Sequence, residues 1–223
     1  MNIIQPSGVM LELMYLNHKN KDLRLEVISD IIDYIKPKNV LVILDKEDQI
    51  VWGVIRGLLR DKILSGNNDD VSIEVVSNFR EYSTFMLDAL SDANNIKFKF
   101  HWVDPFVHDV RDMEYDMIII DTIKSYHHIS KCLKMYTKNC KDIIVLGCDL
   151  EPYILSSNLD INVEALNVGC TPSTLKLNLY AAIEDFIYNT INIDENKVGT
   201  FQYKILKHYK DNADLVHIQM IID

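Results

Sequence analysis

Residues Phe201–Ile222 read FQYKILKHYKDNADLVHIQMII. Two runs rich in β-branched, aromatic and aliphatic residues, Phe201–Tyr209 and Leu215–Ile222, flank the turn-forming stretch Lys210–Asp214. That is the pattern of two strands joined as a hairpin. What precedes the hairpin is of another kind: short apolar runs alternate with helix-periodic segments, the mark of βα units and a mostly parallel sheet. A plain dinucleotide-binding fold continues in parallel, so the terminal hairpin separates this chain from it.

Working backwards, Pro172–Thr190 reads as a long helix, with Thr171 as its N-cap and proline next in line. Strands are expected at Asn39–Leu44, Val71–Val76, Ile96–Val103, Asp116–Ile120 and Asp142–Cys148. The unbroken hydrophobicity of residues 117–120 marks a strand covered on both faces. Lys97 and Lys99, alternating with apolar residues, give the third strand a wetter face. Helical spacing appears in Leu23–Ile35, Ile50–Ile63, Phe79–Ala93 and Ser125–Tyr136. Gly53 and Gly57, four apart in the second of these, suggest close packing of that helix on the sheet.

The 223 residues carry no repeat or low-complexity linker and read as one α/β domain, with residues 1–38 as a helical N-terminal extension packed on it. A hydrophobic fraction of 48% supports a sizeable core and excludes a disordered chain. With 33 acidic against 23 basic residues the net charge is -10, which argues against nucleic acid as the main partner. No run reaches the roughly 18 apolar residues of a membrane span. The N-terminal stretch is not basic and carries Glu12, unlike an ordinary signal peptide. Cys132, Cys140, Cys148 and Cys170 lack C-x-x-C spacing, so buried free thiols and a cytoplasmic location are expected.

The order of elements is similar to that of class I S-adenosylmethionine-dependent methyltransferases, with five βα units and a reversed final hairpin. Three stretches carry the resemblance to their small-molecule and sugar O-methyltransferases. Residues 118–126 (IIIDTIKSY) resemble a fourth strand ending Asp-Gly-x-His-x-Tyr, matching at Asp121, Ser125 and Tyr126 but with Thr122 and Lys124 in place of glycine and histidine. Leu146-Gly147-Cys148-Asp149 resembles a fifth strand ending His-Asp, with cysteine for histidine. Residues 178–186 (NLYAAIEDF) resemble the family's Gly-Leu-Trp-x-Ala-Ile-x-x-Phe helix. The implied fold is a single Rossmann-like domain, a mostly parallel seven-stranded sheet with helices on both faces.

The resemblance implies S-adenosylmethionine and, at Asp121 and Asp149, a divalent metal such as magnesium or a substrate hydroxyl. Each of these carboxylates has the alternative of capping the segment after it. The first βα turn, Leu44-Asp45-Lys46-Glu47-Asp48-Gln49, has no glycine where the family lets its backbone approach the cofactor. Asp45 and Glu47 are the polar contacts left there for the methionine amino group. Asn78 takes the place of the ribose-binding acid, and Asp104 stands where the family contacts the adenine amine.

Candidate catalytic groups are Asp121, His127, His128 and Asp149, with Tyr126 and Tyr180 against a substrate. One of the histidines could accept the hydroxyl proton. The bland alternative, more common for adjacent histidines, makes them surface imidazoles. The stretch around Trp102, Pro105 and Phe106 could wall a pocket or plug the space between loop and helix. Two functions stay open: a fold with an eroded cofactor site that binds a protein partner, or an O-methyltransferase acting on a small molecule or sugar. Oligomeric state is left open.

Overall fold

Alternation along the strands sorts their side chains onto two faces, and each face is closed by helices. The computed structural model describes residues 23–44, 50–65, 69–78, 95–106, 114–123, 125–137, 140–147, 160–167, 171–175, 179–191, 201–209 and 214–222. Its elements in chain order are α1 (Leu23–Ile35), β1 (Asn39–Leu44), α2 (Ile50–Ser65), β2 (Val71–Ser77), β3 (Ile96–His101) and β4 (Met117–Asp121). Then come α3 (Tyr126–Tyr136), β5 (Asp142–Leu146), α4 (Ile161–Asn167), α5 (Pro172–Leu175), α6 (Leu179–Ile191), β6 (Phe201–Tyr209) and β7 (Leu215–Ile222).

The seven strands form one sheet in the order β3-β2-β1-β4-β5-β7-β6. The pairs among β1 to β5 are parallel, whereas β7 runs antiparallel to both β5 and β6. Val40, Val42, Leu44, Met117, Ile119, Ile144 and Leu146 face a core shared with α1 and α2. Their neighbours Leu41, Ile43, Ile118, Ile120, Ile143 and Val145 face a second core with α3 and α6. A period of two on strands covered on both faces accounts for the continuous hydrophobic runs. The edge strand β3 keeps Lys97 and Lys99 exposed, in line with its wetter face.

Local signals close the elements. Lys36 enters the left-handed region at φ 56, its N–H bonding Ile32 O at 2.8 Å, and ends α1. The Asp116 carboxylate accepts the N–H groups of Lys38 and Asn39 at 2.9 and 3.0 Å, tying the start of β1 to β4. β5 stops at Leu146, earlier than the sequence suggests. Gly147 has φ 77 and donates its N–H to Asp214 O at 2.7 Å, which turns the chain out of the ladder.

The structure overturns one sequence expectation and adds one element. Gly53 and Gly57 let α2 approach α1, not the sheet. A Cβ on Gly57 would lie 2.7 Å from Ser29 O and 2.8 Å from Ile32 Cβ, and one on Gly53 would lie 3.2 Å from Leu25 O. The seven-residue helix α4 was not foreseen, because its short run has too little periodicity to stand out. The expected helix Phe79–Ala93 lies outside the described residues. Where one helix Pro172–Thr190 was expected, the described residues hold two, α5 and α6, and residues 176–178 lie outside them.

Candidate functional site

Parallel strands bring their carboxyl ends to one edge of the sheet, the edge where open α/β sheets bind ligands. Asp121, the last residue of β4, is only 2% exposed and pairs in register with Leu44 at the end of β1. Thr122 follows, equally buried, and its Oγ1 has no hydrogen-bond partner among the described residues. Asn78 sits exposed just past β2. Asp104 is exposed beyond β3, and its Oδ1 accepts the Phe106 N–H at 2.8 Å, a local turn bond. Asp45, Glu47 and Asp149 lie outside the described residues.

The opening of α3 gathers the remaining candidates. Ser125 is the N-cap, its Oγ accepting His128 N–H at 3.3 Å. The same Oγ lies 2.6 Å from His128 Nδ1. A hydroxyl that accepts from the backbone and donates to Nδ1 satisfies both bonds and leaves the ring proton on Nε2. His128 is buried, which overturns the surface-imidazole reading for this residue. Burial pushes its pKa down to about 4, helped by His127 and Lys131 and opposed by Asp104. His127 is half-buried, and burial with Lys131 and Lys134 moves its pKa down as well.

Aromatic packing then closes over His128. Phe106 lies with its ring centroid 4.5 Å from the imidazole, and Tyr136 donates its hydroxyl to Pro105 O. The described part of the stretch after β3 thus packs against α3 through Pro105 and Phe106. The two tyrosines named as substrate contacts are also engaged internally. Tyr126 donates its hydroxyl to Asp185 on α6, a bond that with burial pushes its pKa up to about 12. Tyr180 stacks on His208 of β6 at 5.2 Å.

Protonating a buried imidazole whose Nδ1 already accepts a bond opposes folding. The unfolded chain takes up that proton near the ordinary histidine value of 6.5 and the folded chain only near 4, so stability falls as pH drops across that window. Replacing His128 with Gln should flatten this slope. Thermal melts of both forms between pH 7 and 4 would show it, and parallel melting curves would contradict it.

Sequence reasoning missed two polar clusters inside the sheet. Glu74 in β2 accepts from Tyr115 Oη at 2.5 Å and Lys99 Nζ at 2.9 Å, with His101 Nε2 at 3.3 Å. Asp142 at the start of β5 bonds His217 Nε2 at 2.9 Å and Gln219 Nε2 at 3.1 Å on β7. The available signal was a carboxylate inside an otherwise apolar strand, which demands a partner. Among the described residues no group of three or more His, Cys, Asp or Glu is placed to hold a metal ion.

Five strands pairing in parallel, followed by an antiparallel β7 inserted between β5 and β6, decide the architecture. The fold is that of a class I methyltransferase. No family model matches the chain, and no curated protein matches it. Among solved structures, the plantazolicin methyltransferase BpumL in complex with SAH is 11% identical at a TM-score of 0.49, with 96% of this chain and 90% of that one covered. The O-methyltransferase from Bacillus cereus in complex with SAH gives 13% and 0.42, with 99% and 93% covered. TomG from Streptomyces achromogenes, an O-methyltransferase involved in tomaymycin synthesis and solved with SAM, gives 10% and 0.45, with 99% and 92% covered. At such identities and TM-scores these likenesses carry no argument of their own, and the fold is read from the strand order. No helix among the described residues is long and apolar enough to cross a membrane.

Proposed function

We propose that this methyltransferase-fold chain is catalytically impaired and serves as a binding module for a protein partner. The observation that carries the reading is the use of side chains at the opening of α3. Ser125 and His128 bond each other beneath Phe106, and Tyr126 bonds Asp185. These groups hold α3 against the loop after β3 and against α6. A neutral imidazole with a pKa of about 4 is a weak proton acceptor at neutral pH, far from the value that suits a general base.

The described donors fit S-adenosylmethionine poorly. Asn78 offers a neutral amide to the ribose hydroxyls in place of a carboxylate, a weaker acceptor. The Asp104 carboxylate is partly used by its own loop.

A second reading, an O-methyltransferase acting on a small molecule or sugar, draws support from the buried Asp121 beside the unsatisfied Thr122 hydroxyl. Calorimetric titration of the full chain with S-adenosylmethionine and S-adenosylhomocysteine, with and without magnesium, separates the two. The impaired-site reading expects no saturation below roughly millimolar ligand. Micromolar binding overturns it and favours the enzyme.

A further inference from the structure

On the face of the sheet that α1 covers, helix and edge strand do not close on each other. Between α1 and the β6–β7 hairpin runs a groove of about 480 Å³, flanked by Val27, Ile31 and Tyr34 on the helix and by Leu206 and Tyr209 on the strand. Two of these side chains stand out into solvent: Tyr34 is 85% exposed and Leu206 53%. Leu23, at 47% exposed, extends the same helical row, since positions 23, 27, 31 and 34 recur at the helical repeat.

Leu206 is exposed for a backbone reason. Ile205 pairs with Ile218 and Lys207 with His217, so Leu206 is the extra residue of a β-bulge. Bulges re-aim side chains, and edge strands ordinarily spend them on turning the edge away or displaying charge. Here the bulge projects a leucine beside an exposed tyrosine. Large apolar groups brought together on a surface and rimmed by charge mark an association site.

The charges on the two walls have opposite sign. Next to the apolar row of α1 runs an acidic one, Glu26, Asp30 and Asp33, while β6 presents the exposed Lys204 and Lys207 on either side of Leu206. Asp30, held by Arg60 at 2.6 Å, and Lys207, over the Tyr209 ring at 4.3 Å, line the groove on opposite sides, and the half-buried Glu26 and Asp33 and the exposed Lys204 continue the two charged rows beyond its lining. An acidic wall, an apolar floor and a basic wall form a self-complementary patch. A two-fold rotation lays the acidic helix of one copy on the basic strand of the other, as an isologous interface requires.

We propose that this groove is the contact face of a homodimer, with α1 of each copy against β6 of its partner and Tyr34 and Leu206 as the apolar anchors. The inference is independent of whether the cofactor site functions.

Sedimentation equilibrium of the full chain tests it. A monomer–dimer equilibrium is expected between about 1 and 100 µM, weakening as salt is raised because the rim is ionic. Leu206→Arg and Tyr34→Arg should each raise the dissociation constant by at least about tenfold, as loss of a central anchor does. Asp33→Lys and Lys204→Glu should each weaken the dimer, and the double exchange should restore it. Recovery of association cannot come from a misfolded chain. A monomer at every concentration overturns the proposal, as does a dimer indifferent to all these changes.

Discussion

Gly57→Ala should lower the melting temperature by about 4–8 °C, while Gly53→Ala should leave it nearly unchanged. Both substitutions gain helix propensity of about 1 kcal/mol, so propensity alone predicts two stabilised proteins. Space decides the sign. At Gly57 the new methyl would sit 2.7 Å from a backbone oxygen, Ser29 O, and 2.8 Å from Cβ and Cγ2 of Ile32. Neither neighbour gives easily, because one is helix backbone and the other a β-branched side chain at a stiff χ1. Overpacking of this kind costs about 1–3 kcal/mol, here at the upper end, leaving a net loss of about 2 kcal/mol. In a chain of this size that is a shift of roughly 2–4 °C per kcal/mol. At Gly53 the nearest approaches are 3.2 and 3.3 Å, which relax with a few tenths of an ångström of movement. Differential scanning calorimetry of the two variants checks the contrast, and equal shifts would remove the helix–helix account.

Glu74→Gln should be comparably damaging at neutral pH and much less so in acid. The residue is 9% exposed, and its carboxylate takes hydrogen bonds from Tyr115 and Lys99. Burial alone would raise its pKa above the ordinary glutamate value of 4.5, but the Tyr115 and Lys99 bonds and the positive charges of Lys99 and His101 outweigh it and hold the pKa below that value. The reciprocal effect, burial plus the neighbouring carboxylate, pushes the Tyr115 hydroxyl well above its ordinary range. Hydrogen bonds to a charged group contribute about 1.5–3 kcal/mol, so loss of the charge should cost about 2 kcal/mol at about pH 7.

The sign with pH follows from the lowered value. The unfolded carboxyl protonates first, so the contribution is whole above about pH 4.5 and is lost as pH falls through the folded value. Urea unfolding at about pH 7 and about pH 3.5 should therefore show a stability gap between wild type and Glu74→Gln that narrows in acid. Tyr115→Phe should couple to it by about 1–2 kcal/mol in a double-mutant cycle. A gap that does not depend on pH would mean that the carboxylate charge contributes little.

Much of the architecture was legible because it rests on local patterns. Runs such as residues 40–44 and 117–120 are apolar at every position, which only a strand covered on both faces requires. The turn residues of 210–214 between two β-rich runs announced the hairpin whose β7 enters the sheet antiparallel. Ser125 and the residues after it announced a helix start, and Ser125 caps it. Of the four cysteines expected as buried free thiols, Cys132 and Cys140 are free and buried, while Cys148 and Cys170 lie outside the described residues.

The candidate site was legible only as a set of positions. That Asp121 ends a strand at the ligand-binding edge follows from the chain order. That His128 is buried beneath Phe106, or that Tyr126 reaches Asp185 on a helix 59 residues away, does not. The same holds for Glu74 and Asp142, whose partners come from remote segments: Tyr115 ahead of β4 and Lys99 on β3 for the first, His217 on β7 for the second. A carboxylate in an apolar strand signals that a partner must exist, and the sequence cannot name it.

By itself, then, the sequence determined the succession of strands and the helices α1 to α3, the two-sided burial of the central strands and the terminal hairpin, since hydrophobic period and turn chemistry act within a few residues. The tertiary structure alone decided which helix Gly57 meets, which groups satisfy the buried carboxylates, the protonation of His128 and the bulge that turns Leu206 outward. These depend on distances between segments remote in the chain, and burial and charge act through space, not along the sequence.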